Sequence, residues 1–219
     1  MKKIFLLAAD FLGNKVGLAS DEQEVVAYGL EVVFSNFLGL FLALSGGIIW
    51  GISAEILTAA FVWLLIRRWA GGAHCSTLWR CALASTMILL VLGMSARGLA
   101  AVLNQQALLV TLALCSIFTL IVTLAWAPAE NPRKPISASR RRYLRHRAIL
   151  VETVLFILLL SSGFLTTGTH ASLLLAAALA LATEGFTVTP AGYRVMGLID
   201  ISLGFLGKKL LPWKGGEKG

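Results

Sequence analysis

Six stretches of the 219-residue chain are almost wholly apolar: 25–44, 48–66, 82–103, 107–126, 149–166 and 172–188. Each is close to the roughly 20 residues that a helix needs to cross a bilayer. The connectors 45–47, 104–106 and 167–171 leave room only for turns, so each joins two antiparallel spans and three hairpins result. Ahead of the first span, residues 1–20 place Ile4, Ala8, Phe11 and Leu12 on one helical face, which predicts an amphipathic helix lying at the interface. Asp10, Asn14 and Lys15 interrupt its apolar run, which argues against a cleaved secretion signal. The pattern predicts an all-α integral membrane protein of one domain, 1–219. It divides into the interfacial helix 1–20, a transmembrane bundle 25–188 of about six helices, and a cytoplasmic or interfacial tail 189–219.

Composition strengthens this picture. Hydrophobic residues make up 58% of the chain and charged ones 14%, with a mean hydropathy of +0.82, too apolar for a soluble fold of this size. The net charge of +8 could suggest a nucleic-acid partner, but its residues fall where membrane orientation explains them. Lys2, Lys3 and Lys15 precede span one, and Arg67, Arg68 and Arg80 lie between spans two and three. Arg133, Lys134, Arg140, Arg141, Arg142, Arg145 and Arg147 lie between spans four and five, and Arg194, Lys208, Lys209, Lys214 and Lys218 follow span six. The three short connectors carry none. Because cytoplasmic loops collect lysine and arginine, both termini and the two basic connections are expected on the cytoplasmic side of a plasma membrane. Nucleic acid is not an expected partner; the lipid bilayer is. The odd count of three cysteines, two of them facing the cytoplasm, predicts free thiols.

Chemistry concentrates between spans two and three, where the chain reads Arg67-Arg68-Trp69-Ala70-Gly71-Gly72-Ala73-His74-Cys75-Ser76-Thr77-Leu78-Trp79-Arg80-Cys81. A thiolate beside an imidazole is the minimum set for a cysteine peptidase, and His74 supplies the base. Two cysteines compete for it. The side chain of Cys75 points away from that of its neighbour in any regular structure. Cys81 is seven residues on, on nearly the same helical face, but an unbroken helix would part the two α-carbons by about 10 Å, too far for a hydrogen bond of roughly 3 Å. The chain must therefore turn between them, with Gly71 and Gly72 providing a sharp entry. Cys81 would then sit near a helix N-terminus, where the dipole and Arg80 lower a thiol's pKa. Histidine and cysteine are also zinc ligands, but a closed site would have to recruit His146 or a carboxylate, so neither metal nor cofactor is expected.

Arg-x-x-x-Gly-Gly-x-His with a cysteine seven residues beyond, read from Arg67, resembles the accessory gene regulator B family of bacterial membrane cysteine endopeptidases. Tyr28-Gly29-Leu30-Glu31 is similar to that family's N-terminal signature, and the run from Ala127 through Pro128, Asn131, Pro132 and Lys134 to Ile136 is similar to its loop after the fourth span. The resemblance implies cleavage of a small quorum-sensing propeptide near its C-terminus. The N-terminal part would be held as an enzyme thioester and released by an internal nucleophile as a cyclic thiolactone or lactone. By position it implies Cys81 as nucleophile, His74 as general base, Arg67 and Gly72 as supporting motif residues, and a homodimer. Cys75 stands where many relatives have a small residue and is not carried over.

Other expectations follow from position along the spans. Glu31 and Glu152 are candidates to orient His74, and Ser85, one turn beyond Cys81, is a candidate to line the pocket. Trp69, Leu78 and Trp79 are expected to roof the cleft and keep water from the acyl-enzyme. Glu55 and Arg97 are expected to pair in the outer half, because unpaired intramembrane charges are costly. Arg140, Arg141, Arg142 and Arg145 anchor topology against anionic lipid and are candidates to grip an acidic substrate tail. The competing class is a non-enzymatic polytopic protein such as a small transporter or signalling scaffold. Transporters usually carry repeated halves, and none is visible here.

Overall fold

The computed structural model describes residues 2–129, 137–165 and 170–210. Parts of the 127–136 motif and of the 167–171 connector, and residues 211–219 of the tail, lie outside these. The described elements are all α-helices: α1 Lys2–Val16, α2 Ser20–Trp50, α3 Ser53–Ala70, α4 Leu78–Val102, α5 Gln105–Trp126, α6 Ala138–Leu165, α7 Ala171–Val188 and α8 Pro190–Leu210. Five of them, α2, α4, α5, α6 and α7, are long and apolar enough to cross a membrane. Five such helices in one chain are the make-up of a multi-pass membrane protein. The remaining sequence-predicted span, α3, carries Glu55, Arg67 and Arg68 within its 18 residues and packs against α2, α4, α6 and α7.

The interior is organised around α7, whose alanines let neighbouring backbones come close. Of its residues 61% are buried, against 22% to 33% in the apolar windows of the other four, and it packs against α3, α4, α5, α6 and α8. Large apolar side chains such as Phe37, Phe41, Ile49, Val91 and Leu165 point outward. In water that would be an aggregation hazard; in lipid it is the solvated surface.

Three differences from the sequence reading have physical reasons. The first hairpin does not turn at 45–47, because α2 runs on to Trp50 and the chain reverses at Gly51, whose left-handed φ of +66° lets its N–H reach Gly47 and Ile48 carbonyls. Gly47 serves packing instead: a Cβ there would lie 2.6 Å from Ile56 Cδ1. Arg140 to Arg147 are not a loop but the first turns of α6. Residues 190–210, read as part of a tail, form α8 against α4 and α7.

The Glu55 and Arg97 pair forms as expected, with Arg97 Nη2 and Nε at 3.0 and 3.1 Å from Glu55 Oε1. Glu55 is buried and its Oε2 has no protein partner, while the Arg97 side chain is 53% exposed. Arg97→Met should therefore destabilise the protein by about 2 kcal/mol, less than a fully buried pair would. Joining it to Glu55→Met should recover most of that, as read by thermal unfolding in detergent; additive losses would mean the pair contributes nothing.

Candidate functional site

The sequence around the His/Cys segment gives it a shape that no regular helix could. α3 ends at Ala70, and Gly71 and Gly72 then take φ of +76° and +145°, values L side chains rarely adopt. Residues 71–77 are non-helical, and α4 restarts at Leu78 with Thr77 as its extended cap. Cys81 thus stands in the first turn of α4 and His74 in the loop before it. His74 Nδ1 lies 3.8 Å from Cys81 Sγ, so the required bend exists.

The loop is held from three sides. The Ala129 N–H donates to the Ala70 carbonyl at 2.8 Å, and the Ala73 N–H to the Thr187 carbonyl at 3.2 Å. Arg67 reaches across with Nη2 to the Ala73 carbonyl at 2.5 Å and with Nη1 to buried Glu184 at 3.0 Å. From α8, Asp200 accepts from the Ser76 N–H and hydroxyl at 3.0 and 3.1 Å and pairs with Arg80 at 3.3 Å. Arg80 is therefore committed to Asp200 and Ser76 rather than turned toward Cys81 as expected.

His74 and Cys81 open onto a cleft of about 260 Å³ between α2, the loop and α8, with Tyr28, Glu31, Asn36 and Tyr193 on its walls. A second, narrower and mainly apolar slot continues inward past Leu40, Trp63, Ser85, Ile88 and Met196, and both residues line it too. A mouth lined largely by polar side chains with an apolar slot behind it has the make-up of a ligand site. Leu78 lines the cleft as expected, but Trp69 and Trp79 line neither space. Trp69 packs edge-on against Tyr143 of α6 instead, with ring centroids 6.3 Å apart.

The two thiols are not equivalent. A hydrogen bond to Cys81, then burial and the Cys81 and Asp200 charges, push the Cys75 thiol well above its ordinary range. A thiol raised in this way has little thiolate to offer as a nucleophile. Cys115 sits in α5, away from the cleft.

Among the remaining candidates, Ser85 donates to the Cys81 carbonyl at 2.7 Å and lines the inner slot. Glu31 lines the cleft with no hydrogen bond to His74. Glu152 is not near: it is buried against Thr123, whose hydroxyl donates to it at 2.6 Å. Arg140, Arg141, Arg142 and Arg145 lie outside the cleft but at the same end of the bundle, next to the turn that bears Tyr143. Sequence reasoning missed Glu184, Thr187, Asp200 and Tyr193. A signal for Glu184 existed, since it is the only acid in apolar α7, and a buried charge demands a partner.

The chain is a helical membrane protein whose glycine-hinged loop sets an imidazole against a thiol in an open cleft. Residues 7–188 match the family Accessory gene regulator B, and the chain belongs to that family. It is similar to accessory gene regulator protein B of Staphylococcus aureus strain MRSA252, 31% identical over 155 residues, 69% of this chain and 78% of that protein. It is also similar to AgrB-like protein 2 of Clostridium perfringens strain 13, at 20% identity over 75% of this chain and 81% of that one. An AgrB-like protein of Listeria monocytogenes serotype 4a strain HCC23 is 25% identical over 67% of this chain and 70% of that one. No solved structure matches. The family match ends at Val188, so α8 lies beyond it.

Proposed function

We propose that this protein is a membrane-embedded cysteine endopeptidase that cuts a small quorum-sensing propeptide and supports its cyclisation. The observation that carries the reading is the 3.8 Å approach of His74 Nδ1 to Cys81 Sγ on an open cleft of about 260 Å³. His74 takes the thiol proton and Cys81 attacks the carbonyl. The C-terminal part leaves as an amine that receives the proton from His74, and the N-terminal part stays as a thioester. An internal thiol or hydroxyl of the bound peptide then attacks the same carbonyl, closing the ring and returning the Cys81 thiol. The thioester keeps most of the acyl energy, so no ATP is consumed. The tethered nucleophile outcompetes water through its effective concentration.

The reading places the cleft at the cytoplasmic face. It is supported by the basic first turns of α6 standing at the same end of the bundle as Arg67, Arg68 and Arg80. Arg140, Arg141, Arg142 and Arg145 are there the groups that grip an acidic substrate tail. Co-expression with a small propeptide that carries an acidic C-terminal tail should yield a product one water lighter than the linear N-terminal fragment, with the C-terminal part released. Cleavage in reconstituted membranes should slow as salt is raised and on reversal of those four arginines to glutamate. Absence of cleavage would exclude the peptidase. Indifference to salt and charge would remove the arginines from the substrate site.

A further inference from the structure

We infer that Glu184 of α7 is a positioning residue: by gripping Arg67 it fixes the loop that carries His74 opposite Cys81. The inference rests on the peptidase reading and concerns the same site.

Glu184 is fully buried in a helix that is otherwise apolar or small. An ionised carboxylate persists in such surroundings only if it is paired and hydrogen-bonded. Arg67 Nη1 provides both, at 3.0 and 3.4 Å from the two carboxylate oxygens. Thr187, one turn on, adds its hydroxyl at 3.3 Å and binds the Glu184 carbonyl at 2.9 Å. The arginine's second terminal nitrogen is spent on the Ala73 carbonyl, while the Ala73 N–H is taken by the Thr187 carbonyl. Both polar groups of Ala73 are thus fastened to one α7-centred unit, and Ala73 is the residue before His74.

The loop has little else to orient it from the α7 side. Residues 71–77 lack helical hydrogen bonds, and two glycines with positive φ precede Ala73. Gly72 lies against the unit itself: a Cβ there would come within 2.7 Å of Thr187 Oγ1, 2.8 Å of Arg67 Nη1 and 3.1 Å of Glu184 Oε1. The motif arginine therefore acts through the loop. With one terminal nitrogen on Glu184 and the other on a carbonyl, its charge is turned into the bundle rather than toward a substrate.

The test compares native protein, Glu184→Gln, Glu184→Ala and the exchange Arg67→Glu with Glu184→Arg, each as full chain in membranes. Processing kinetics, thermal unfolding and one geometric readout are recorded. The geometric readout is cross-linking of His74→Cys to Cys81 by a mild oxidant, in a Cys75→Ala background with or without Glu184→Ala. Glu184→Ala should lower kcat about 100-fold, the scale of an ångström-level misplacement, and Glu184→Gln less, with KM little changed. The exchange restores the charge pair but leaves the Ala73 carbonyl without its arginine donor, so it should not recover kcat, and cross-linking should slow when Glu184 is lost. A rise in KM with kcat kept would overturn the inference in favour of substrate contact. Loss of kcat only in proportion to unfolded protein, or cross-linking unchanged by Glu184→Ala, would overturn it also. If even the native chain processes nothing, the peptidase reading fails, while the cross-linking arm still decides the positioning claim.

Discussion

Cys81→Ala should abolish processing, with a fall of more than about 10⁴-fold in rate, the scale seen when a covalent nucleophile is removed. Cys75→Ala should retain activity within about tenfold, the worth of one hydrogen bond to a charged sulfur of ~1.5 kcal/mol. The asymmetry follows from the site: His74 faces Cys81 at 3.8 Å, whereas a hydrogen bond to Cys81 and burial push the Cys75 thiol up. Both variants remove a small, partly buried thiol, so both should fold. The measurement is release of the C-terminal part of the propeptide by each protein at matched membrane levels. Equal loss in both would mean that the two sulfurs act as a pair. Loss in Cys75→Ala alone would reverse the assignment.

Gly72→Ala should be nearly as damaging, although it adds one carbon. The position needs φ of +145°, which alanine adopts only under strain. The new Cβ would also lie 2.7 Å from Thr187 Oγ1 and 2.8 Å from Arg67 Nη1. The ion pair must part or the loop must move, and either shifts His74. An activity loss of about 100-fold is expected together with destabilisation of about 2–4 kcal/mol. Gly29, whose Cβ would meet nothing within 4 Å, is the control, and Gly29→Ala should leave the melting temperature nearly unchanged. Similar effects at both glycines would show that close packing at Gly72 is not what matters.

The parts of this molecule that could be read in the sequence are those set by local rules. Apolar run length placed most of the spans, and the geometry of a seven-residue spacing required a bend between His74 and Cys81 that the glycine pair delivers. The cost of unpaired charge in lipid brought Glu55 and Arg97 together across 42 residues of sequence. The same rule applied to Glu184 leads to Arg67, but Arg67 sits near a membrane edge and its charge already had an explanation in topology. The turn after α2 was misplaced for a related reason. Glycines in a membrane helix mark close packing as often as reversal, and only the contact of Gly47 with Ile56 separates the two. Asp200 and α8 were out of reach, since a glycine-containing amphipathic segment carries no local sign of what it packs on. The tryptophans misled because interfacial belts and cleft roofs use the same residue at the same depth.

The most direct measurement is a single-turnover reaction of the membrane-embedded protein with its propeptide, quenched in acid and read by intact mass and peptide mapping. The account requires an added mass equal to the N-terminal part of the propeptide, on Cys81, labile to neutral hydroxylamine as a thioester is. An adduct on Cys75, or complete processing with no adduct on any cysteine, would contradict it.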